Sequence, residues 1–309
     1  MKKKLTPYSI EKKQVRWGFL FTVPCLVFFA VFSFYPIISA FLTSLTNRDA
    51  IRRTYDFIGF QNYTYLFTQS NGGFSLLNSL KATAIFTVGT FVPMVVVSLI
   101  LAVLIMQLRK PGHSKMFELA YYTPAVLSSV VAATIWMILF QPTGLFNQIS
   151  NFVMHTSGKD YQWLTNNSML RASTIIVYFW KYIGYFTILF ITGLASIPPT
   201  IYEAAIVDGS SRWHTFWKIT LPLLKPTVVL VSIMAMLQCL KTFSTQYMFV
   251  QGGTAREPID VITMNIYYTG VVNRRLGRSS AMSIILFLIM LCFTYLQFST
   301  QKGGDDVEY

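Results

Sequence analysis

Charge is what this 309-residue chain has least of: Asp, Glu, Lys and Arg together make up 12% of it. A soluble domain carries about 25%, so the shortfall points to lipid as the main solvent. Acids are scarcer still, 12 against 25 Lys and Arg, which leaves a formal net charge of +13. No compact basic domain, zinc spacing or aromatic RNA motif accompanies that excess, so nucleic acid is not the expected partner. Basic loops that set orientation in a membrane are. The three cysteines, Cys25, Cys239 and Cys292, all lie in apolar runs, and an odd number of buried thiols excludes a disulfide framework. His113, His155 and His214 fall in three different loops with no metal-binding spacing. The phosphate-binding pattern G-x-x-x-x-G-K-[ST] is missing, since Gly158-Lys159 has no glycine loop before it and Asp160 after it. G-x-S-x-G is missing too. Neither an enzyme nor a bound cofactor is expected. Asn166-Asn167-Ser168 matches a glycosylation sequon, a pattern frequent by chance.

Apolar runs dominate: 53% of residues are hydrophobic and the mean hydropathy is +0.50. Spans are expected at about 17–45, 82–107, 117–141, 172–197, 224–247 and 280–299. Each holds roughly 20 or more apolar residues, enough to cross about 30 Å of hydrocarbon as a helix. Backbone groups in lipid must pair within their own segment, and the alternation of a membrane barrel is absent. The expected fold is therefore all-α and integral to the membrane, with six transmembrane helices in one domain, 17–299. The first run is too long for a signal peptide and reads as a retained helix, with Pro24 and Pro36 kinking or shortening it. A basic tail, 1–16, precedes it, and a short tail, 300–309, ends the chain. The basic tail and the short basic link at 107–117 predict that both termini face the cytoplasm. The connection between the fourth and fifth spans then faces the cytoplasm as well. No internal repeat is visible, which speaks against a carrier built from inverted halves.

That connection, Tyr202 to Pro226, is a polar interruption bounded by Pro198-Pro199 before it and by Pro222 and Pro226 at its end. Glu203-Ala204-Ala205 favours helix. Asp208-Gly209 is a helix stop, and Ser210 or Ser211 is placed to cap a second helix. In that helix Trp213, Phe216 and Trp217 share a face. One reading is an ordinary link between two spans. The other is a short surface helix offering an apolar ridge and one acid to the groove of a partner.

Glu203-Ala204-Ala205, three residues, Gly209, and then Ile219-Thr220-Leu221-Pro222 resembles the "EAA" loop of permease subunits of binding-protein-dependent bacterial ATP-binding-cassette importers. Asp208 and Pro226 are similar to the branch that carries carbohydrates and glycerol phosphate. So are Tyr35-Pro36, Phe57-Ile58-Gly59 with Asn62-Tyr63, Pro124, Trp136, Gly144 with Asn147, Gly252-Gly253, and Gly277 with Ala281. Ser210 stands where the family usually has alanine, and the stretch GGTAREPID is longer and more charged than its counterpart. The resemblance implies a second homologous permease, two ATPase subunits that use ATP and Mg, an extracytoplasmic solute-binding protein, and a bacterial cytoplasmic membrane. It implies a coupling loop over about 200–222, with Glu203 as the electrostatic contact, Gly209 as the bend, and Trp213 and Phe216 as ridge residues. Gly209→Asp, or a bulky residue at Ala204 or Ala205, is expected to uncouple ATP hydrolysis from uptake.

A solute path is expected where polar groups sit at membrane depth. Lys181 lies about 15 Å into the fourth span, among Tyr178, Tyr182 and Tyr185. Gln238 and Thr242 lie a turn apart in the fifth. Aromatic faces with polar tips suit sugar rings; the alternative is helix-to-helix packing. With no acid at membrane depth to pair Lys181, an anionic sugar is one candidate solute, while Lys241 is expected to snorkel. A receptor without transport, or a self-contained secondary carrier, would lack the ATPase-docking segment or would need intramembrane acids.

Overall fold

The computed structural model describes residues 7–51, 54–68, 75–107, 111–156 and 158–302. Residues 1–6 of the basic tail, the basic pairs Arg52-Arg53 and Arg109-Lys110, and the tail from 303 onward lie outside the described residues. Among the described residues the only β feature is an isolated antiparallel bridge between Thr46 and Phe57.

The first span is α1 (Pro7–Phe29), a π-wound turn (Ala30–Phe34) and α2 (Tyr35–Ser44). Pro36 has no N–H and its ring crowds the carbonyl four residues back. The helix answers by widening there, with Tyr35 N–H donating to the Ala30 carbonyl. After α3 (Gln61–Thr68), the second span is α4, Leu76–Met106. It starts six residues before the expected 82, because Ser75 caps it by accepting from Asn78 N–H and the polar first turns are helical.

The third span is not one straight helix, as residues 117–141 had suggested. It is α5 (Pro111–Val126) and α6 (Ser129–Leu139), bent by 106°. Pro124 weakens the end of α5, and Ser128 restarts the chain by accepting from Val131 N–H at 3.2 Å. α7 (Leu145–Val153) leads to α8 (Asn167–Ala195). Asn166, the sequon asparagine, caps α8 by accepting from Ser168 and Met169 N–H at 3.0 and 3.2 Å. α9 (Pro199–Val207), α10 (Arg212–Thr215), a π turn over Phe216–Thr220 and α11 (Leu221–Leu223) lead to α12 (Lys225–Leu240). α13 (Ser244–Gln251), α14 (Ile262–Tyr267) and α15 (Leu276–Lys302) complete the chain. Five of these stretches are long and apolar enough to cross a membrane, or six if the bent α5–α6 pair is one span.

The chain divides into two compact units. In the first, residues 1–66 with 269–284, Asn62 donates to the carbonyls of Ser44 and Thr46, both at 2.8 Å. A Cβ at Gly277 would stand 2.1 Å from the same Thr46 carbonyl. Two residues matched singly in the sequence, Asn62 and Gly277, thus serve one junction.

In the second unit, residues 67–268 with 285–309, α4, α8 and α12 build the core from Met94, Phe186, Phe190, Val231, Ala235 and Cys239. Hydroxyls bond across helices rather than face lipid: Ser98 donates to the Ile183 carbonyl at 3.1 Å and Tyr178 to the Gln238 carbonyl at 2.9 Å. A Cβ at Gly184 would stand 1.9 Å from the Tyr121 carbonyl, so glycine there lets α5 lie against α8. The connection after the fifth span, which carries the charged stretch GGTAREPID, is packed: Pro258 to Ile262, Met264 and Asn265 are all buried.

Candidate functional site

Three features of the second unit carry chemistry. The first is the connection from α9 to α11. α9 ends in a Schellman motif: Ser210 N–H donates to the Ala205 carbonyl at 2.9 Å and Gly209 N–H to Ile206 at 3.0 Å. Gly209 sits at φ +69°, the left-handed conformation that this motif needs. Of the two serines, Ser211 is the cap of the next helix, accepting from His214 N–H at 3.2 Å. Two short helices, α9 and α10, thus flank Asp208-Gly209, as the glycine stop and the serine cap imply.

α9 has two faces. Ile201, Tyr202 and Ala205, the last 5% exposed, turn to the core. Glu203, Ala204, Ile206 and Val207 turn outward, with Ile206 75% and Val207 86% exposed. Trp213 is 72% exposed and meets the Trp217 ring edge-on at 5.6 Å, and Phe216 is half-buried. Asp208 and Pro222 are exposed and Leu221 is half-buried. Ile206 and Val207 were not among the residues expected here. Their spacing from Glu203, three and four positions on, is the signal that reveals them.

The second feature is a cavity of about 480 Å³, within the range of small-molecule sites. Tyr178, Tyr182, Gln238 and Thr242 line it together with Ser129 of α6 and Lys241. The bend after α5 is what brings Ser129 to this wall. Lys181 stands behind the wall, 4% exposed: its Nζ donates to Ser129 Oγ at 2.9 Å and lies 5.2 Å from the Tyr182 ring centre. The ammonium on the wall is Lys241, at the break between α12 and α13. Tyr185 lies away from the cavity, with its ring edge on Phe186 at 5.1 Å.

The third feature holds the 252–268 stretch in place. Asp260 is 1% exposed, and its carboxylate accepts from Arg256 Nε at 2.8 Å and Ser79 Oγ at 3.1 Å. Asn265 donates to the same Ser79 hydroxyl at 2.7 Å, and Ile262 N–H donates to Thr83 at 2.8 Å. Burial raises the Asp260 pKa above the ordinary carboxylate value, partly offset by Arg256 and Ser79. The Thr263 hydroxyl donates to the Thr242 carbonyl, so this stretch is tied to the cavity wall.

Known proteins place this architecture. Residues 80–300 match the family model described as "Binding-protein-dependent transport system inner membrane component". The sn-glycerol-3-phosphate transport system permease protein UgpA of Rhizobium meliloti (strain 1021) is 30% identical, with 91% of this chain and 92% of that protein covered. The arabinooligosaccharides transport system permease protein AraP of Bacillus subtilis (strain 168) is 28% identical over 88% of this chain and 84% of its own. A solved bacterial ABC transporter involved in the import of the acidic polysaccharide alginate has a chain that superposes with a TM-score of 0.77 at 25% identity, covering 96% of this chain and 97% of that one. The chain therefore belongs to the binding-protein-dependent transport system inner membrane components, as a multi-pass permease.

Proposed function

We propose that this permease is one of two homologous halves of a carbohydrate importer. Two ATPase subunits that bind ATP and Mg dock beneath it, and a solute-binding protein delivers solute from the other side. The carrying observation is the outward apolar ridge of Ile206, Val207 and Trp213 around Glu203, in a chain without a phosphate-binding loop. Such a patch outside a membrane span marks a protein contact. The basic N-terminal tail puts both termini, and this ridge, in the cytoplasm. Closure of the ATPase pair on ATP moves the ridge, and α9 and α10 pass that motion to α8 and α12, which wall the cavity. The two pore states are a bistable element biased by nucleotide.

The cavity supplies the solute path: tyrosine faces for a ring, hydroxyl and amide groups for its hydroxyls, and one ammonium. The relatives' named solutes, glycerol phosphate, arabinooligosaccharides and alginate, share a polyhydroxyl character, and two of them are anionic. Lys241 favours the anionic class here.

Purification with the partner permease, ATPases and binding protein, then reconstitution in vesicles, tests both levels. Uronate or neutral oligosaccharides delivered by the binding protein should stimulate ATP hydrolysis and drive uptake. Lys241→Gln should lower uronate uptake about 10-fold or more, the worth of one charge-assisted hydrogen bond. Unchanged uronate uptake in that variant defeats the charge assignment alone. Absence of sugar-stimulated hydrolysis defeats the importer reading.

A further inference from the structure

Beside the cavity, four aromatic rings form a contiguous cluster. Phe243, which lines the cavity, stacks on Tyr247 with centroids 5.0 Å apart and planes 20° from parallel. Tyr267 lies 5.3 Å from each of them, and Tyr268 lies 5.6 Å beyond Tyr267. All four are half-buried, unlike the core rings Phe186, Phe190 and Phe249, which are fully buried. The rings are also held still. The Thr263–Thr242 bond joins α14 to the start of α13. The Arg256 guanidinium, paired with Asp260, covers one ring face of Tyr268 at 3.7 Å. A half-exposed aromatic surface with hydroxyl tips, sharing Phe243 with a polar cavity, is pre-organised for a ring that is apolar on its face and polar at its edge.

We propose that Phe243, Tyr247, Tyr267 and Tyr268 form a second sugar subsite, which takes the ring next to the one in the cavity. The solute class is then a chain of at least two sugar units. This rests on the carbohydrate reading of the cavity. Phe243 belongs to both surfaces and marks where one ring hands over to the next.

The test uses the complete importer with its binding protein in vesicles. Photoreactive p-benzoylphenylalanine is placed at position 267 and, as a control, at position 295, where Tyr295 is exposed on α15. Radiolabelled uronate and arabinose oligomers of one to five units are the probes. Label should be captured at 267 during turnover, at least about fivefold above the control site, and capture should rise from the single sugar to the longer chains. Tyr267→Ala should cut uptake of the longer chains by a similar factor, while Tyr267→Phe keeps it. If the alanine variant does not assemble, Tyr247→Leu gives the same comparison. Capture at 267 equal to the control while uptake proceeds overturns the subsite, as does capture equally strong for a single sugar. An unsubstituted importer that takes up none of these saccharides overturns the carbohydrate reading itself, and the subsite with it.

Discussion

Two connecting segments of this permease look alike as sequence and behave in opposite ways. The one between α8 and α12, residues 199–223, turns its apolar side chains out: Ile206, Val207 and Trp213 are exposed. The one after α13, residues 252–267, turns them in: Ile259, Ile262 and Met264 are fully buried beside the buried acid Asp260. Hydropathy alone classes both as polar interruptions. The difference lies in where polar groups find partners. Arg256 and Asp260, four positions apart, neutralise each other, and Ser79 and Thr83 of α4 meet the remaining acceptor and donor. That segment is complete in itself. The first segment satisfies its backbone with the Gly209 and Ser211 caps but leaves its apolar side chains without cover. Under the proposed function, another protein completes it.

Charging the outer face of α9 gives the strongest test of that contrast. Ile206→Asp with Val207→Asp should abolish co-purification with the ATPase subunits, since anchors at an interface centre are worth about 2–4 kcal/mol each. Thermal unfolding of the purified permease should stay within about 0.5 kcal/mol of wild type, as for other exposed positions. A variant that retains its ATPases and still couples uptake to hydrolysis would show that this face is a plain link between spans.

Much of this was legible in the sequence. The all-α membrane class follows from composition and span length. The break at Asp208-Gly209 follows from the glycine, because few other residues accept its backbone conformation. The hidden parts are those decided by tertiary packing. Pro124 signalled a weakness but not a bend of 106°, which depends on Ser128 restarting the helix and on Gly184 letting α5 lie on α8. The sequence makes Lys181 the cation of the solute path and Lys241 a snorkelling residue. Only the fold puts Lys181 behind Ser129 and Tyr182 and leaves Lys241 on the cavity wall. Tyr178, Tyr182, Gln238 and Thr242 do meet at the cavity, while Tyr185, one helical turn from Lys181, packs elsewhere.

The self-contained segment makes a second prediction, smaller in its effect on transport but aimed at the other half of the contrast. Asp260→Ala removes the acceptor that Arg256 and Ser79 share and should destabilise the permease by about 3 kcal/mol. Replacing Arg256 with Met in the same chain should restore part of that loss. The pH dependence has a definite sign. Burial raises the Asp260 pKa, so the native state holds its proton more tightly than the unfolded chain does. Stability should then fall as pH rises from the ordinary carboxylate value through the raised one, and level off above it. Melting temperature in detergent across that window, wild type minus Asp260→Ala, reads the slope. A difference that climbs with pH would mean that the Arg256 contact outweighs desolvation, and that the segment is held by its ion pair rather than in spite of a buried charge.

The smallest effect belongs to the joint of the exposed segment. At Gly209 the left-handed backbone excludes most side chains, yet a Cβ there would meet nothing within 4 Å. Any cost of substitution is therefore conformational. Gly209→Val should cost about 1–2 kcal/mol locally, and Gly209→Asn distinctly less, because asparagine visits this region readily. Gly209→Asp tests geometry and charge together: its backbone cost is close to that of asparagine, so any further loss of coupling comes from a third acid beside Asp208 and Glu203. Amide exchange should report faster opening at the Schellman bonds of Ser210 and Gly209 in the valine variant, while α8 and α12 stay protected. The ratio of uptake to ATP hydrolysis should drop in the same order as the local stability, valine first. If valine and asparagine behave alike, the bend does not transmit motion, and coupling runs through the apolar face of α9 alone.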